Sequence, residues 1–150
     1  MPAHNTIRLS PPSEASIDRS TLFELYKTSL HDYIEATFGW DDDYQIRRFD
    51  TEYGEGVLSL IWQGAEAAGV LALRSEAESL HVSLLLLWPA YRSEGIGREV
   101  MQMVMEQATR SGMPVTLSCF QRNHGALRFY RMLNFTVLSV DEHFVNLRYG

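Results

Sequence analysis

The sequence predicts a mixed α/β domain of the α+β type, and three observations lead to that prediction. Short runs with period-2 alternation and longer runs with helical spacing follow one another along the whole chain. Three consecutive strand patterns between Gly56 and Pro89 are joined by short polar segments, as in antiparallel hairpins. One helical pattern then lies between two strand patterns, which predicts a single crossover connection.

The N-terminal part is predicted to form one strand and two helices. NTIRLS, which begins at Asn5, alternates like a short strand. Asp18 or Ser20 caps the long helical pattern that follows, and Gly39 ends it. The segment DDDYQIRRF predicts a second helix because aspartates favour a helix N-terminus. Its apolar side is expected to comprise Tyr44, Ile46 and Phe49.

Three strands in a meander are predicted next. Their sequences are VLSLIW, GVLALR and LHVSLLLLW. The segments between them, QGAEAA and SEAES, have lengths and compositions that are typical of hairpin connections. The three strands are therefore expected to be antiparallel neighbours in one sheet.

The C-terminal half is predicted to contain two helices and three strands. Helical spacing runs from Ile96 to Arg110 and again through NHGALRFYRML. Strand patterns are found in PVTLSCF, FTVLSV and HFVNLRY, and the last two are expected to form a closing hairpin. The predicted order is strand, two helices, three strands, helix, strand, helix and two strands.

Length and composition fit one globular domain over residues 1–150, with 45% apolar positions. The segment MPAHNTIRLSPP has no features of a leader peptide, and the longest apolar run, LLLLW, is too short to span a bilayer. The single cysteine, Cys119, excludes an internal disulfide, and no set of Cys and His residues has metal-ligand spacing. We therefore expect a soluble, cytoplasmic protein with no metal and no membrane partner.

The charge distribution favours an anionic ligand in one region of an otherwise acidic protein. The formal net charge of -6 argues against nucleic acid as a partner. Between Arg92 and Arg131, however, six arginines oppose three acids. This region can bind an anion, whereas the acidic stretch from Asp32 to Glu55 can attract a cation.

A phosphate-binding turn is predicted where the last strand of the meander gives way to a helix. In RSEGIG, Gly95 and Gly97 remove side chains where a ligand must approach the backbone, and Arg92 and Arg98 add positive charge. A helix start offers an anion unpaired N–H groups and a partial positive charge. The dinucleotide fingerprint and the P-loop lysine are both absent from the sequence, which argues against an unrelated nucleotide-binding protein.

Two sequence blocks resemble the signatures of the GNAT N-acetyltransferase superfamily. LLWPAYRSEGIG resembles its acetyl-CoA signature, in which Arg or Gln is followed by two residues, Gly, one residue, and Gly or Ala. NHGALRFYRMLNF resembles a second signature, in which Asn is followed by Ala, Phe-Tyr and a Leu-Gly-Phe ending. The two blocks occur in the family's order and at about its spacing. In addition, SLHDYIEATFGWDD and DEHF resemble a bacterial subgroup of that family.

The resemblance implies a fold and a cofactor site. The implied GNAT fold has a central mixed, mostly antiparallel sheet of about seven strands with about four helices, and strands 4 and 5 are splayed. Acetyl-CoA is the implied co-substrate, with its pantetheine arm along the strand that ends at Leu87 and its pyrophosphate on main-chain amides of the following turn. The implied cofactor-binding residues are Leu85, Leu86, Leu87, Arg92, Ser93, Glu94, Gly95, Ile96, Gly97, Arg98, Asn123, Ala126, Phe129 and Tyr130.

The chain departs from the family pattern at three positions. Asn134 replaces the glycine before the final Phe, which is a tolerable change at a helix end that needs positive φ. Ser93 replaces the glycine that usually follows the arginine. Ser118 stands where some relatives have a glutamate, and this change removes one candidate base.

Tyr130 is the general acid that the resemblance implies. A phenol with a pKa of about 10 is protonated at neutral pH and can give its proton to the departing thiolate. The acyl oxygen is expected to be stabilised by a main-chain amide of the Leu86 to Leu87 region. Cys119 is better explained as a buried core thiol than as an acyl carrier, since it falls in a strand pattern without a partnered histidine.

The general base is left open by the sequence. The candidates are Glu35, His143, His81 and a water molecule held by Ser118. Glu35 and His143 are placed first because, in the fold that the resemblance implies, the first helices and the terminal hairpin wall the acceptor cleft. An α-amino acceptor with a pKa near 7.7 needs less help from a base than a lysine-like amine near 10.4.

These features predict an acetyl-CoA-dependent N-acetyltransferase that transfers the acetyl group directly to a primary amine of a small molecule or peptide. The acidic stretch that contains Glu35 and residues 41–43 favours a cationic acceptor. The alternative is a non-catalytic module that binds or senses CoA, and the presence of Tyr130 and Asn123 favours the enzyme over it. The sequence leaves open whether the protein forms a homodimer.

Overall fold

The computed structural model describes residues 6–150, so residues 1–5, which include the start of the predicted first strand and part of the segment searched for a leader, lie outside it. The strands are β1 (Ile7–Ser10), β2 (Leu58–Gln63), β3 (Glu66–Ser75), β4 (Leu80–Leu87), β5 (Val115–Phe120), β6 (Thr136–Val140) and β7 (Phe144–Tyr149). The helices are α1 (Arg19–Phe38), α2 (Asp42–Glu52), α3 (Ile96–Arg110) and α4 (His124–Met132), with 3-10 turns at Pro12–Glu14 and Pro89–Tyr91.

The strands form one mixed, mostly antiparallel sheet of seven strands in the order β1-β2-β3-β4-β5-β7-β6. Strand β2 is antiparallel to β1 and β3, and β7 is antiparallel to β5 and β6. Strand β4 is parallel to β5, as the crossover through α3 requires. The parallel ladder comprises the pairs Leu80↔Val115, His81↔Thr116 and Val82↔Leu117, at the start of each strand. The predicted fold class, element order and single crossover are confirmed.

Two details of the sequence prediction are wrong. The hairpin connection is shorter than the predicted QGAEAA, since β3 already begins at Glu66 and pairs there with Gln63. Gly64 has a φ of 60°, which allows a tight turn of Gly64 and Ala65. The second error is the apolar side of α2.

Gln45 and Phe49, rather than Tyr44 and Ile46, face the core on α2. Tyr44 and Ile46 are 52% and 40% exposed. Gln45 and Phe49 lie four residues apart and therefore share one face of the helix, and both are buried. The Tyr26 hydroxyl donates a hydrogen bond to Oε1 of Gln45 over 3.0 Å, which compensates for the burial of this polar side chain.

Residues 6–72 and Leu84–Val100 form a compact first part, whose core contains an aromatic cluster. The Phe49 ring of α2 lies 5.7 Å from Phe23 and 5.3 Å from Tyr26 of α1, and 5.7 Å from Tyr53. Large buried rings of this kind contribute strongly to stability through their apolar area. Arg19 also ties α1 to the end of α2, because its guanidinium donates to the Tyr53 carbonyl over 2.9 Å.

Leu73–Ser83 and Met101–Gly150 form a compact second part. Its buried side chains come from the inner face of α3, from β5 and β7, and from α4 and the residues after it. They are Met101, Val104, Ala108, Val115, Leu117, Cys119, Tyr130, Leu133, Phe135, Val145 and Leu147. The expectation of one domain over residues 1–150 stays a prediction. Over the described residues, the structure contains no helix that is long and apolar enough to cross a membrane.

Asn134 lies at the C-terminal end of α4 with a φ of 70°, the left-handed conformation that its sequence position predicts. We expect Asn134→Gly to leave the free energy of unfolding unchanged or to raise it, because glycine adopts this conformation without strain. Asn134→Val should lower it by about 1–2 kcal/mol. Urea unfolding of the three proteins tests this expectation, and equal stability of the Val and Gly variants would contradict it.

Candidate active site

The turn after β4 presents a row of main-chain N–H groups to solvent. Within residues 6–150, no protein acceptor is found for the amides from Gly95 to Arg98, and the Glu99 amide is the first of the helix to bond, to the Gly95 carbonyl over 3.1 Å. Ser93 and Gly95 have φ values of 63° and 85°. Left-handed residues occur in the turns that gather main-chain amides around an anion. The turn therefore has the donors that the sequence predicts for a pyrophosphate.

Side chains around this turn leave the donors accessible. Ser93, Glu94 and Gly95 are exposed, and Gly97 is half-buried without a side chain. Ile96 is buried in the core and anchors the first turn of α3. Ser93 adopts positive φ even though it has a side chain, which explains why glycine is the usual residue at this place in the signature.

The end of β4 brings together Leu85, Leu86 and Leu87, all half-buried. The Trp88 amide donates to the Ala68 carbonyl of β3 over 3.0 Å, so the Trp88 N–H points toward β3. Because the main-chain groups of successive residues in a strand point to opposite edges, the N–H and C=O of Leu85 and Leu87 face away from β3. Leu85 and Leu87 thus offer the main-chain groups that a pantetheine arm needs.

Gly69 of β3 is a site residue that the sequence analysis missed. A Cβ atom at this position would lie 2.0 Å from the Leu86 carbonyl oxygen and 2.9 Å from the Leu87 Cα atom. Only glycine lets β3 approach the end of β4 so closely. The register of β2 and β3 also shifts beside it, between Ile61 and Trp62. An isolated glycine in a strand pattern indicates a bulge or a close approach of another backbone, and this signal could have identified Gly69.

Arg92 does not extend into the turn. Its Nε atom donates to the Leu87 carbonyl over 2.9 Å, and Nη2 donates to Oγ of Ser29 over 3.3 Å. Arg98 is exposed on the first turn of α3. A direct contact between either arginine and a phosphate stays a prediction.

The second part holds the other predicted residues on α4. Oδ1 of Asn123 accepts a hydrogen bond from the Ala126 amide over 3.1 Å, so Asn123 caps the helix. Ala126, Phe129 and Tyr130 lie three and four residues apart and therefore occupy one side of α4. Their backbone is fixed by this cap and by the Tyr130 carbonyl, which accepts from the Phe135 amide over 3.0 Å.

Tyr130 is a buried residue, with 8% of its surface exposed. Its ring lies 4.9 Å from Phe129 and 5.5 Å from Phe135. In the described part of the chain the hydroxyl has no hydrogen-bond partner. Burial, and secondarily the neighbouring Cys119, raises the pKa of Tyr130 above its ordinary value. The phenol is therefore protonated over the physiological range.

The two leading base candidates have different surroundings. Glu35, in the first part, is exposed and accepts from Nε2 of His31 at 3.0 Å, and Nδ1 of the same ring lies 3.1 Å from Asp32. His143, in the second part, is half-buried with Nε2 3.8 Å from the Glu142 carboxylate. Each pair joins an imidazole and a carboxylate, so neither geometry singles out one base.

The remaining two candidates are held by neighbouring side chains of the sheet. Nδ1 of His81 lies 2.8 Å from Oγ1 of Thr116, which in turn donates to Ser79 over 3.3 Å. The Ser118 hydroxyl donates to Oδ1 of Asn146 over 2.5 Å. These contacts favour a structural role for His81. Among the described residues, no group of three or more His, Cys, Asp or Glu side chains could hold a metal ion.

Cys119 is buried, and this burial raises the pKa of its thiol to about 12. The value is above that of an unfolded thiol, about 8.5, so the thiol's contribution to stability is complete below that pH and is lost as pH rises toward the folded value. Relative to Cys119→Ala, the wild-type protein should lose about 2 kcal/mol of unfolding free energy between about pH 8 and pH 10. Urea unfolding at both pH values measures this difference, and parallel changes in the two proteins would show that the thiol is not buried.

The comparisons with known proteins identify the family. The acetyltransferase (GNAT) family matches residues 20–135, whereas no curated protein matches the chain. The fold is similar to that of a PaiA N-acetyltransferase from Thermoplasma acidophilum in complex with coenzyme A, at 17% identity and a TM-score of 0.72 over 97% of this chain and 99% of that one.

Two further structures share this fold. An acetyltransferase from Thermus thermophilus has a TM-score of 0.71 at 17% identity, covering 96% of each chain. The ribosomal-protein-S18-alanine N-acetyltransferase from Escherichia coli has a TM-score of 0.62 at 16% identity, covering 95% of this chain and 92% of that one. With the family match over most of its length, the chain belongs to the GNAT family of acetyltransferases.

Proposed function

We propose that the protein is an acetyl-CoA-dependent N-acetyltransferase that moves an acetyl group directly to a primary amine of a small molecule or peptide. The observation that supports this most strongly is the row of amides from Gly95 to Arg98 that have no acceptor among the described residues. Two neighbours in fold support the ligand, because they were crystallised with coenzyme A. N-acetylation in particular is supported by relatives whose names specify it.

The cofactor-binding role is divided among three groups of residues. The amides of the turn from Ser93 to Arg98 hold the pyrophosphate, since those from Gly95 onward combine free donors with the positive end of α3. The main-chain groups of Leu85 and Leu87 bind the pantetheine arm, with Leu86 between them. For Asn123, Ala126 and Phe129, contact with the arm is the role that the family resemblance implies.

The reaction needs few protein groups. The neutral amine attacks the thioester carbonyl carbon, a C–N bond forms, and the C–S bond breaks. The negative charge that develops on the acyl oxygen is stabilised by the Leu87 amide, which faces away from β3. The departing thiolate takes a proton from the Tyr130 hydroxyl, and the amine nitrogen loses a proton to a base. Tyr130 then regains a proton from solvent.

Glu35 and His143 are the proposed bases. Glu35 is exposed and carries a carboxylate, which can attract a cationic amine. His143 carries an imidazole, the side chain that most often serves as a general base. An amine that enters protonated must lose a proton before it can attack, and either residue can accept that proton.

The acceptor is proposed to be cationic because of the acidic stretch around α2. Two of the aspartates in that stretch already make hydrogen bonds within the protein. Asp41 caps α2 by accepting from the Tyr44 amide over 2.9 Å. Asp42 accepts from Lys27 over 2.8 Å and from the Trp40 indole over 2.9 Å. Attraction of a cation is therefore assigned to the remaining exposed acids of this stretch, among them Asp43.

We propose that the protein is cytoplasmic. A single cysteine, buried as a thiol, is consistent with a reducing cytoplasm. The segments around Glu35 and His143 resemble a bacterial subgroup of the family, which supports a bacterial acetyltransferase.

Release of free thiol from acetyl-CoA over a library of amines tests the proposed function. We expect Tyr130→Phe to lower kcat by about 10²-fold or more while the dissociation constant of CoA changes little, because the variant removes the proton donor and keeps the buried ring. Tyr149→Phe is the matched control, since Tyr149 lies on β7 and is assigned no role in the reaction.

Each outcome of this assay has a defined meaning. Unchanged kcat in Tyr130→Phe would refute the assignment of the acid. Tight CoA binding by the wild-type protein without turnover of any amine would favour the sensing module over the enzyme.

A further inference from the structure

We propose that Arg92 is a positioning residue, which fixes the end of β4 and couples it to α1 through Ser29. The inference rests on the proposed function, because the end of β4 carries the amide assigned to the acyl oxygen. It differs from the role that the sequence implies for Arg92, that of a phosphate contact. The Arg92 guanidinium is bound to the Leu87 carbonyl and to the Ser29 hydroxyl.

The peptide group between Leu87 and Trp88 is held at both ends. Its N–H donates to the Ala68 carbonyl over 3.0 Å, and its carbonyl accepts from Nε of Arg92 over 2.9 Å. A hydrogen bond from a charged donor is stronger than one between neutral groups. The orientation of this peptide group therefore depends on β3 on one side and on Arg92 on the other.

Gly69 makes the first of these two constraints possible. Because a Cβ atom would lie 2.0 Å from the Leu86 carbonyl oxygen, β3 can approach β4 only when this position is glycine. With β3 in place, the Leu87 carbonyl faces away from it and needs a different donor. Arg92 supplies that donor from five residues further along the same chain.

The second contact of Arg92 reaches α1. Nη2 donates to Oγ of Ser29 over 3.3 Å, and Ser29 is half-buried on the helix that also carries Glu35. A single guanidinium thus connects the helix of a proposed base with the strand end that carries the proposed acyl contact. Its planar fork makes two contacts in fixed directions, which a lysine ammonium does not reproduce.

Two thioesters distinguish positioning from phosphate binding. S-acetylpantetheine lacks the phosphates of acetyl-CoA, so a phosphate ligand contributes nothing to its turnover. If Arg92 positions the strand end, Arg92→Gln lowers kcat by about 10- to 100-fold with both thioesters and changes KM for acetyl-CoA little. If Arg92 binds phosphate, KM for acetyl-CoA rises and turnover of S-acetylpantetheine is unaffected.

Three further variants separate the geometry of the guanidinium from its charge. Arg92→Lys keeps the charge and should lose kcat almost as much as Arg92→Gln, because the fork is lost. Ser29→Ala removes one of the two contacts and should cause a smaller loss. Arg110→Gln, at the exposed C-terminal end of α3, makes the same charge change as Arg92→Gln and should behave like the wild-type protein.

Amide hydrogen exchange provides a readout that does not require turnover. Arg92→Gln should speed exchange in peptides that cover residues 84–91 and in α1 around Ser29, whereas Arg110→Gln should change neither. If the wild-type protein turns over no amine, the proposed function is refuted, but the exchange of Arg92→Gln can still be compared with that of the wild-type protein. Unchanged exchange at both places in Arg92→Gln, or a rise in KM for acetyl-CoA alone, would overturn the positioning role.

Discussion

The main-chain amides from Gly95 to Arg98 have no acceptor in the part of the chain that the structure describes, and they are the feature on which the proposed activity depends. Helix starts always leave such donors, but most are capped by a side chain. Here positive φ at Ser93 and Gly95 turns the backbone so that no side chain covers them. An anion that binds here is stabilised by several hydrogen bonds and by the dipole of α3.

Burial controls the chemistry of the second part. Cys119 and Tyr130 are both buried, and burial raises the pKa of each, so both are neutral at physiological pH. Neutrality makes a thiol inert as a nucleophile, whereas it keeps a phenol ready to donate a proton. The same physical effect therefore argues for an acid role at Tyr130 and against an acyl-cysteine at Cys119.

Local sequence patterns predicted the helices, the strands and the turn after β4. The roles of Gly69, Arg92 and Gln45 depend on tertiary packing. RSEGIG predicts a helix start with free donors from residue types alone. Gly69 could not be assigned, because its importance lies in the Leu86 carbonyl oxygen that packs against it from another strand. One contact of Arg92 is with Ser29 of α1, which lies 63 residues earlier in the chain. On α2, burial of Gln45 required a partner hydroxyl that no local pattern reveals.

Amide-resolved NMR titration of the ¹⁵N-labelled protein with coenzyme A tests the central claim most directly. Binding of the pyrophosphate to free main-chain donors predicts large, saturable shifts for the amides of Gly95, Ile96, Gly97 and Arg98. The Glu99 amide, which already bonds to the Gly95 carbonyl, should move less. Saturable binding that leaves the amides from Gly95 to Arg98 unshifted would contradict the account.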